Sequence, residues 1–370
     1  MISFFKKLLL FILPLCVVFI FPSVVTYYGR EYVSIEYVLR TQLRFPEALF
    51  SFAYNGSTFY EYKKKLVEAT NPKVITLGSS RVMQFREEFF DPASSFINAG
   101  GAGKSLEDIE NFVGALSSTS SINVIILGLD KEIFESPYRS LETGKDRWLP
   151  VRFIGVAVSM SRRIYLDYLA HKYTLRDLYD TSIHTKHVGL SALVHQNGFR
   201  KDGSYRYGGA SVNSSRIAYV KSEVAGRANA IESNVGIVND KKIVIEQNIQ
   251  ALNRILADAK QKKIIVLGIM PPYPTPIYNA MDKSDDSFKF ISGEICKSFR
   301  DANFLFFDLS SIKTFGGKET EFVDAIHGTD AMHLKIMIYL IEETSILDNY
   351  TDIKSLKDML KKTKGDFLTF

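Results

Sequence analysis

Val74-Ile75-Thr76-Leu77-Gly78-Ser79-Ser80-Arg81 runs four apolar or β-branched residues straight into a glycine. A short apolar run that ends in glycine and precedes a helical pattern, here from Val82, reads as the strand-to-helix turn of an α/β sheet. The Ser80 hydroxyl then sits at the carboxyl end of the strand and the amino end of the next helix, where free N–H groups favour developing negative charge. A serine in that place is either an N-cap or a nucleophile, and serine caps helices often. Ser79, next to it, is the competing hydroxyl.

Outward from this turn the chain alternates. Ser95–Asn98 reads as a second strand, followed by a helix capped by Ser105 with Leu106, Ile109, Phe112, Val113 and Leu116 on one face. Asn123–Leu127 is a third strand, apolar enough to be buried on both faces. A helix over Ile243–Lys260 leads to a fourth strand, Ile264–Leu267, and a helix over Phe288–Phe299 to a fifth, Phe304–Phe307. Strands alternating with helices imply a parallel sheet covered on both sides, a three-layer α/β sandwich. The alternation breaks between Ile133 and Asp240. That span is too long for a loop and rich in aromatics (Trp148, Phe153, Tyr165, Tyr168, Tyr173, Tyr205, Tyr207), so residues 135–240 are expected to form an inserted cap. Its histidines, His171, His184, His187 and His195, read as surface or cap residues.

Four loops leave the carboxyl ends of these strands or follow them: Gly78-Ser79-Ser80-Arg81, Asn98-Ala99-Gly100-Gly101-Ala102-Gly103, Gly128-Leu129-Asp130 and Asp324-Ala325-Ile326-His327. A serine nucleophile needs a base, and the base needs a carboxylate to fix its tautomer. Asp324 and His327, three apart, can reach the first loop from one turn of chain. Glycine-rich backbone beside the serine can offer N–H groups to an oxyanion. Other readings are weaker. Gly103-Lys104-Ser105 lacks the glycine five positions earlier that a phosphate-binding loop needs, since Asn98 stands there. Asp324, His327, Asp330 and His333 recur every three residues, but metal ligands must converge on one point. Arg81 reads as an ion-pair residue on a helix surface, and Pro271-Pro272 as the rim of the pocket.

Together the four blocks resemble the SGNH, or GDSL-type, hydrolase superfamily: Gly78-x-Ser80, Asn98-x-Gly100-x-x-Gly103 and Asp324-x-x-His327 match its motifs. The resemblance covers roughly 73–130 and 263–347. It implies a flavodoxin-like five-stranded sheet, Ser80 as nucleophile, His327 as base and Asp324 as orienting acid. It further implies the N–H groups of Ser80 and Gly100 as oxyanion donors, with Gly78, Asn98 and Gly103 supporting the loops. The third block departs, with Asp130 where the family has an oxyanion-binding asparagine. An ionised aspartate cannot donate. No metal and no cofactor are implied.

At the N-terminus Lys6 and Lys7 precede a stretch from Leu8 to Tyr28 without a charge, long enough to span a bilayer, with Tyr27 and Tyr28 as an interfacial belt. The paired lysines place its start in the cytoplasm and the rest of the chain outside. A cleaved signal would have a shorter apolar core and a small-x-small ending. Residues 1–29 are therefore expected to be a signal anchor, 30–72 a membrane-proximal linker with one or two short helices, and 73–370 the enzyme-like domain. With such an anchor the chain is similar to the envelope branch of the superfamily, which includes proteins of D-alanylation and alginate O-acetylation. The implied activity is a serine esterase or O-acyltransferase on acyl groups, acetyl among them, of an envelope polysaccharide or glycolipid, working with a membrane-bound acyl-transfer partner. The alternative is an impaired relative that binds a glycan or organises an assembly complex. The net charge of +5 is spread out, with no basic-aromatic groove for nucleic acid. Cys16 and Cys296 are the two cysteines, and Cys296 reads as a buried thiol.

Overall fold

The computed structural model describes residues 2–54, 58–117, 120–136, 150–179, 186–208, 214–233 and 239–363. Trp148 and His184 lie outside them. The chain divides into two compact units: Met1–Thr58 with Gly144–Lys201 and Arg206–Gly209, and Phe59–Thr143 with Asp202–Tyr205 and Ala210–Phe370.

The larger unit is α/β. Its five strands are β1 (Val74–Gly78), β2 (Phe96–Gly100), β3 (Val124–Gly128), β4 (Ile265–Met270) and β5 (Leu305–Asp308). They are all parallel, in the order β2-β1-β3-β4-β5, the doubly wound 2-1-3-4-5 arrangement of flavodoxin-like sheets. β1, β2 and β3 are buried at every position, as expected for parallel strands covered on both faces. Ser105 caps the Leu106–Ala115 helix by accepting from Asp108 N–H, and Leu106, Ile109, Phe112 and Val113 are its buried face. The Asn239–Gln261 helix buries Ile245, Ile249, Leu252, Ile255, Leu256 and Ala259. Asp286–Ala302, capped by Asp285, buries Phe288, Ile291, Ile295 and Phe299. Its Cys296 is exposed and not the buried thiol expected, because it sits one residue past Ile295 on the outward face.

Two local expectations change. No α-helix follows the first strand: Ser80–Val82 is a single 3₁₀ turn, followed by another at Glu87–Phe89. Val82, Met83, Gln84 and Phe85 are all buried, so the segment has no solvent face for an amphipathic helix to present. Residues 30–72 hold the short helices expected, Ile35–Arg44 and Phe59–Thr70, but they are folded parts of the two units and not a linker. Phe59–Thr70 is a helix of the larger unit that buries Tyr62, Lys63, Leu66 and Val67. Earlier in the segment, Leu49–Phe50 is a strand of the smaller unit, parallel to His187–Val188 and antiparallel to Gly198–Phe199.

The smaller unit is tied together by polar side chains that the composition does not advertise. Buried Glu31 accepts the N–H groups of Ala53, Tyr54 and Leu190. Gln42 donates to the carbonyls of Ala48 and Phe199. The helix Ile2–Tyr28 covers the expected anchor stretch. Its last turns belong to the packing of this unit: Val25 is buried with Ile164, Tyr173, Leu178 and Leu190, and Phe21 stacks on Tyr165 at 5.0 Å. Among the described residues, no helix is long and apolar enough to cross a membrane.

The expected cap at 135–240 is split between the units. Gly144–Lys201 belongs with the N-terminal segment, while Asp202–Tyr205 and the region from Ala210 belong with the sheet. Asp202 O accepts from Asn98 N–H, and Tyr205 N–H donates to Met83 O. The Ser214–Ser233 helix packs on Thr275–Ser284 within the larger unit.

Candidate active site

Gly78 closes β1 with φ +146°, and a Cβ there would come within 2.6 Å of the Gly128 carbonyl at the end of the neighbouring β3. Only glycine lets the two strand ends approach this closely. The chain then turns sharply enough to separate the two serines. Ser79 is the N-cap of the 3₁₀ turn, its Oγ accepting from Arg81 N–H at 3.2 Å and donating to Asp130 Oδ2. Ser80 takes no part in that cap, and its Oγ lies 2.8 Å from His327 Nε2. With adjacent serines, one satisfies the turn and the other is left for chemistry.

The histidine arrives on a short hairpin. Val323 N–H donates to His327 O, and Thr329 N–H to Glu321 O. Thr329 then caps the Asp330–Glu343 helix. Within the hairpin Asp324 Oδ1 accepts the N–H groups of Ile326 and His327, both at 2.8 Å, and Oδ2 lies 2.7 Å from His327 Nδ1. Asp324 thus fixes the loop and the ring together. With Nδ1–H donated to the carboxylate, the Nε2 lone pair faces Ser80 Oγ–H, the tautomer a general base needs. Burial pushes the Asp324 carboxyl up, but the His327 hydrogen bond and charge and the two N–H groups outweigh it and hold it below the usual carboxylate range.

Asn98 and Gly100 form the next wall. The Asn98 amide donates to the carbonyls of Val82 and Phe85 at 2.9 and 2.8 Å, pinning the segment after the nucleophile to β2. Its Oδ1 accepts Gly100 N–H at 2.7 Å, so one expected oxyanion donor is already engaged. Gly103 N–H and Gly101 N–H both donate to Gly78 O at 2.9 Å, holding the glycine loop to the end of β1.

Asp130 is buried and faces Ser79 and Arg81, with Arg81 Nη1 3.4 Å from its Oδ1. These are the contacts of an ion pair. Burial raises its carboxyl pKa, opposed chiefly by the Arg81 charge. Arg81 is not a surface residue. It is 5% exposed, lies 3.8 Å over the Tyr273 ring, and donates through Nη2 to the carbonyls of Pro271 and Pro272 at 2.9 and 2.6 Å. Burial disfavours its charge, but Tyr273, Asp130 and Glu132 more than restore it. The arginine thus ties the nucleophile turn to the loops after β3 and β4. A sequence reading misses it because the following segment looks helical and arginines on helices usually face water.

A sequence reading does not show the role of His333 either. It is buried, with Nδ1 2.8 Å from Thr329 O and Nε2 2.9 Å from Arg81 O, bridging the nucleophile turn and the helix that follows His327. Asp330 accepts from Arg86 Nη1 at 3.0 Å. Asp330 and His333 are therefore engaged elsewhere and do not converge with Asp324 and His327 on a common point.

Replacing Asp130 with asparagine is expected to remove the ion pair, lower the stability of the larger unit and leave the pH profile of activity unchanged. Urea unfolding and a pH-rate profile of Asp130→Asn test this. A lost alkaline limb with unchanged stability would instead make Asp130 a neutral donor to the reacting oxygen.

Behind the loop, Lys63 is fully buried and donates to the carbonyls of Asn98, at 2.9 Å, and Gly203. Burial pushes its amine down to about 7, against the pull of Asp202. The folded pKa lies below the unfolded one, so between them the unfolded chain holds the extra proton and stability rises with pH. From about pH 7 towards the ordinary lysine range near 10.4, the slope from this group should reach up to ~1.4 kcal/mol per pH unit. Lys63→Met should remove that slope in denaturant titrations, and identical slopes in the two proteins would contradict it.

By fold and site this is a doubly wound α/β protein with a serine–histidine–aspartate relay beyond the carboxyl edge of its sheet. No protein-family model matches the chain, and no curated protein or solved structure is significantly similar to it.

Proposed function

We propose that the protein is an SGNH-like serine esterase or O-acyltransferase. In this reading it acts outside the cytoplasm on acyl groups of an envelope polysaccharide or glycolipid, and the Ile2–Tyr28 helix tethers it to the membrane. The observation that carries the chemistry is the 2.8 Å and 2.7 Å relay from Ser80 through His327 to Asp324. The tether rests on the apolar composition of the helix and on its exposed Phe4, Phe11 and Ile20.

Ser80 Oγ attacks the acyl carbonyl while its proton passes to His327 Nε2. Asp324 holds the resulting imidazolium in place. The oxyanion forms beside the Ser80 N–H, with Gly100 N–H joining if it exchanges Asn98 Oδ1 for the substrate oxygen. Collapse expels the alcohol, which takes the proton from Nε2 and leaves acyl-Ser80. Water or a sugar hydroxyl, deprotonated by the same nitrogen, then takes the acyl group. Only that acceptor separates hydrolase from transferase.

A second reading, a glycan-binding relative without turnover, is favoured by the engaged Gly100 N–H and by Asp130 standing in an ion pair. Incubation with an aryl acetate, followed by acid quench and intact-mass measurement, tests the two. An acetyl adduct that maps to Ser80 and drains faster when polysaccharide is added supports the transferase form. An unmodified protein that also releases no aryl alcohol above the rate of Ser80→Ala supports the binding reading, whereas an unmodified protein that releases it is the esterase form.

A further inference from the structure

The uncharged part of the first helix is shorter than it looks once its packing is known. From Phe21 onward the helix packs against the rest of the smaller unit: Phe21 contacts Tyr165 and Tyr168, Val25 is buried, and the Tyr28 ring lies 4.4 Å from that of Tyr179. That leaves Leu8–Ile20, about 13 residues and roughly 20 Å of helix, against a hydrocarbon core of about 30 Å. A mismatch of that size is met by thinning the bilayer or by sinking the flanking protein into it.

The flanking protein is built for the second course. Phe21 meets the last turns of the Pro150–Leu169 helix, so any deeper insertion carries that end with it. There Leu166 and Leu169 are 54% and 69% exposed, and with Arg162 they stand at i, i+4 and i+7 on one face. Ile20 is exposed beside Phe21 in the chain. Around them Arg162, Arg163, His171, Lys172 and Arg176 are exposed, while Asp167 is half-buried and already bound to Lys172 and Tyr54. Tyr27, Tyr28 and Tyr179 add exposed aromatic rings. Large apolar side chains at an exposed helix end, basic side chains with long stems around them and tyrosines nearby are the composition of an interfacial element.

We infer that the Arg162–Tyr179 rim of the smaller unit lies in the headgroup region of an anionic lipid bilayer, with Leu166 and Leu169 reaching the acyl boundary. The rim makes up the length that the anchor lacks. The bilayer is favoured over a protein partner because the patch is continuous with the helix that leads to it and carries an excess of positive charge. This rests on the membrane reading of the Ile2–Tyr28 helix.

The test uses the full-length chain with Cys16→Ser and Cys296→Ser, reconstituted in phosphatidylcholine–phosphatidylglycerol vesicles. An environment-sensitive fluorophore is placed singly by Phe11→Cys, Leu169→Cys or Tyr219→Cys, the last an exposed position of the larger unit. Leu166→Cys, one turn from Leu169, repeats the measurement at an independent position. Labels at Leu166 and Leu169 should shift to the blue and lose most of their emission to lipids spin-labelled near the headgroup. The Tyr219 label, read in the detergent-solubilised protein, gives the iodide quenching of an open position. A lipid-quenched Phe11 label with rim labels open to iodide keeps the anchor and overturns the rim. An iodide-quenched Phe11 label overturns the anchor and with it this inference. Rim labels reached by neither quencher mean that protein covers the patch, which also overturns it.

Discussion

Ser80→Ala is expected to abolish ester turnover, with a fall in kcat of at least about 10³ and up to about 10⁶ relative to the unchanged protein. The hydroxyl faces His327 at 2.8 Å, and no neighbouring hydroxyl replaces it, because Ser79 Oγ is held by Asp130 and the Arg81 N–H. His327→Ala should match that loss, since nucleophile and base act as a unit. Asp324→Asn should lose roughly 10³–10⁴, because an amide neither fixes the tautomer nor stabilises the imidazolium. Asp324 also braces two backbone N–H groups, so some of its loss will be structural. Its lowered pKa keeps it ionised into acid, so the stability it contributes is present above the ordinary aspartate range and is lost as pH falls from that range through the lowered value. Ser79→Ala should cost stability and keep turnover within about tenfold, as expected for a residue outside the reacting unit. Equal losses at the two serines in steady-state assays would dismiss the separation of roles.

Arg81→Met should be the most damaging single change to stability. The guanidinium is buried against Asp130 and Tyr273 and donates to two proline carbonyls. Removing it strands the Asp130 carboxylate in a low-dielectric site, and breaking a buried pair in this way typically costs about 3–5 kcal/mol. Methionine keeps much of the volume, so the loss reports charge and hydrogen bonds more than a cavity. Adding Asp130→Asn to Arg81→Met should recover part of the loss, since the stranded charge is then gone. Urea denaturation of the four proteins measures the coupling. A single-mutant loss below about 1 kcal/mol would place the pair among weak surface contacts.

The sheet was legible because buried parallel strands leave continuous apolar runs: Val74–Leu77 and Asn123–Leu127 are within a residue or two of β1 and β3. The motif spacing also pointed to residues that the fold brings together, since Ser80, Asp324 and His327 each lie in a loop beyond the sheet edge. Polar residues whose burial is decided by distant partners were not legible. Arg81 needs Tyr273 and Asp130 to be recognised as interior, and Glu31 needs the N–H groups of Ala53, Tyr54 and Leu190. The segment after Ser80 looked helical because its apolar content suits a helix, and it is a 3₁₀ turn because every residue from Arg81 to Arg86 is buried. The aromatic-rich region 135–240 read as one insertion because composition does not show which parts pack with which. Its first part shares a core with Val25, far away in the chain.

The central claim is that Ser80 is a nucleophile activated by His327. Reaction of the folded protein with a fluorophosphonate, followed by peptide mass mapping, tests it most directly. The account predicts one phosphonyl adduct on Ser80, absent from Ser80→Ala and His327→Ala and retained in Ser79→Ala. A folded protein that takes no adduct, or takes it on Ser79, would contradict it.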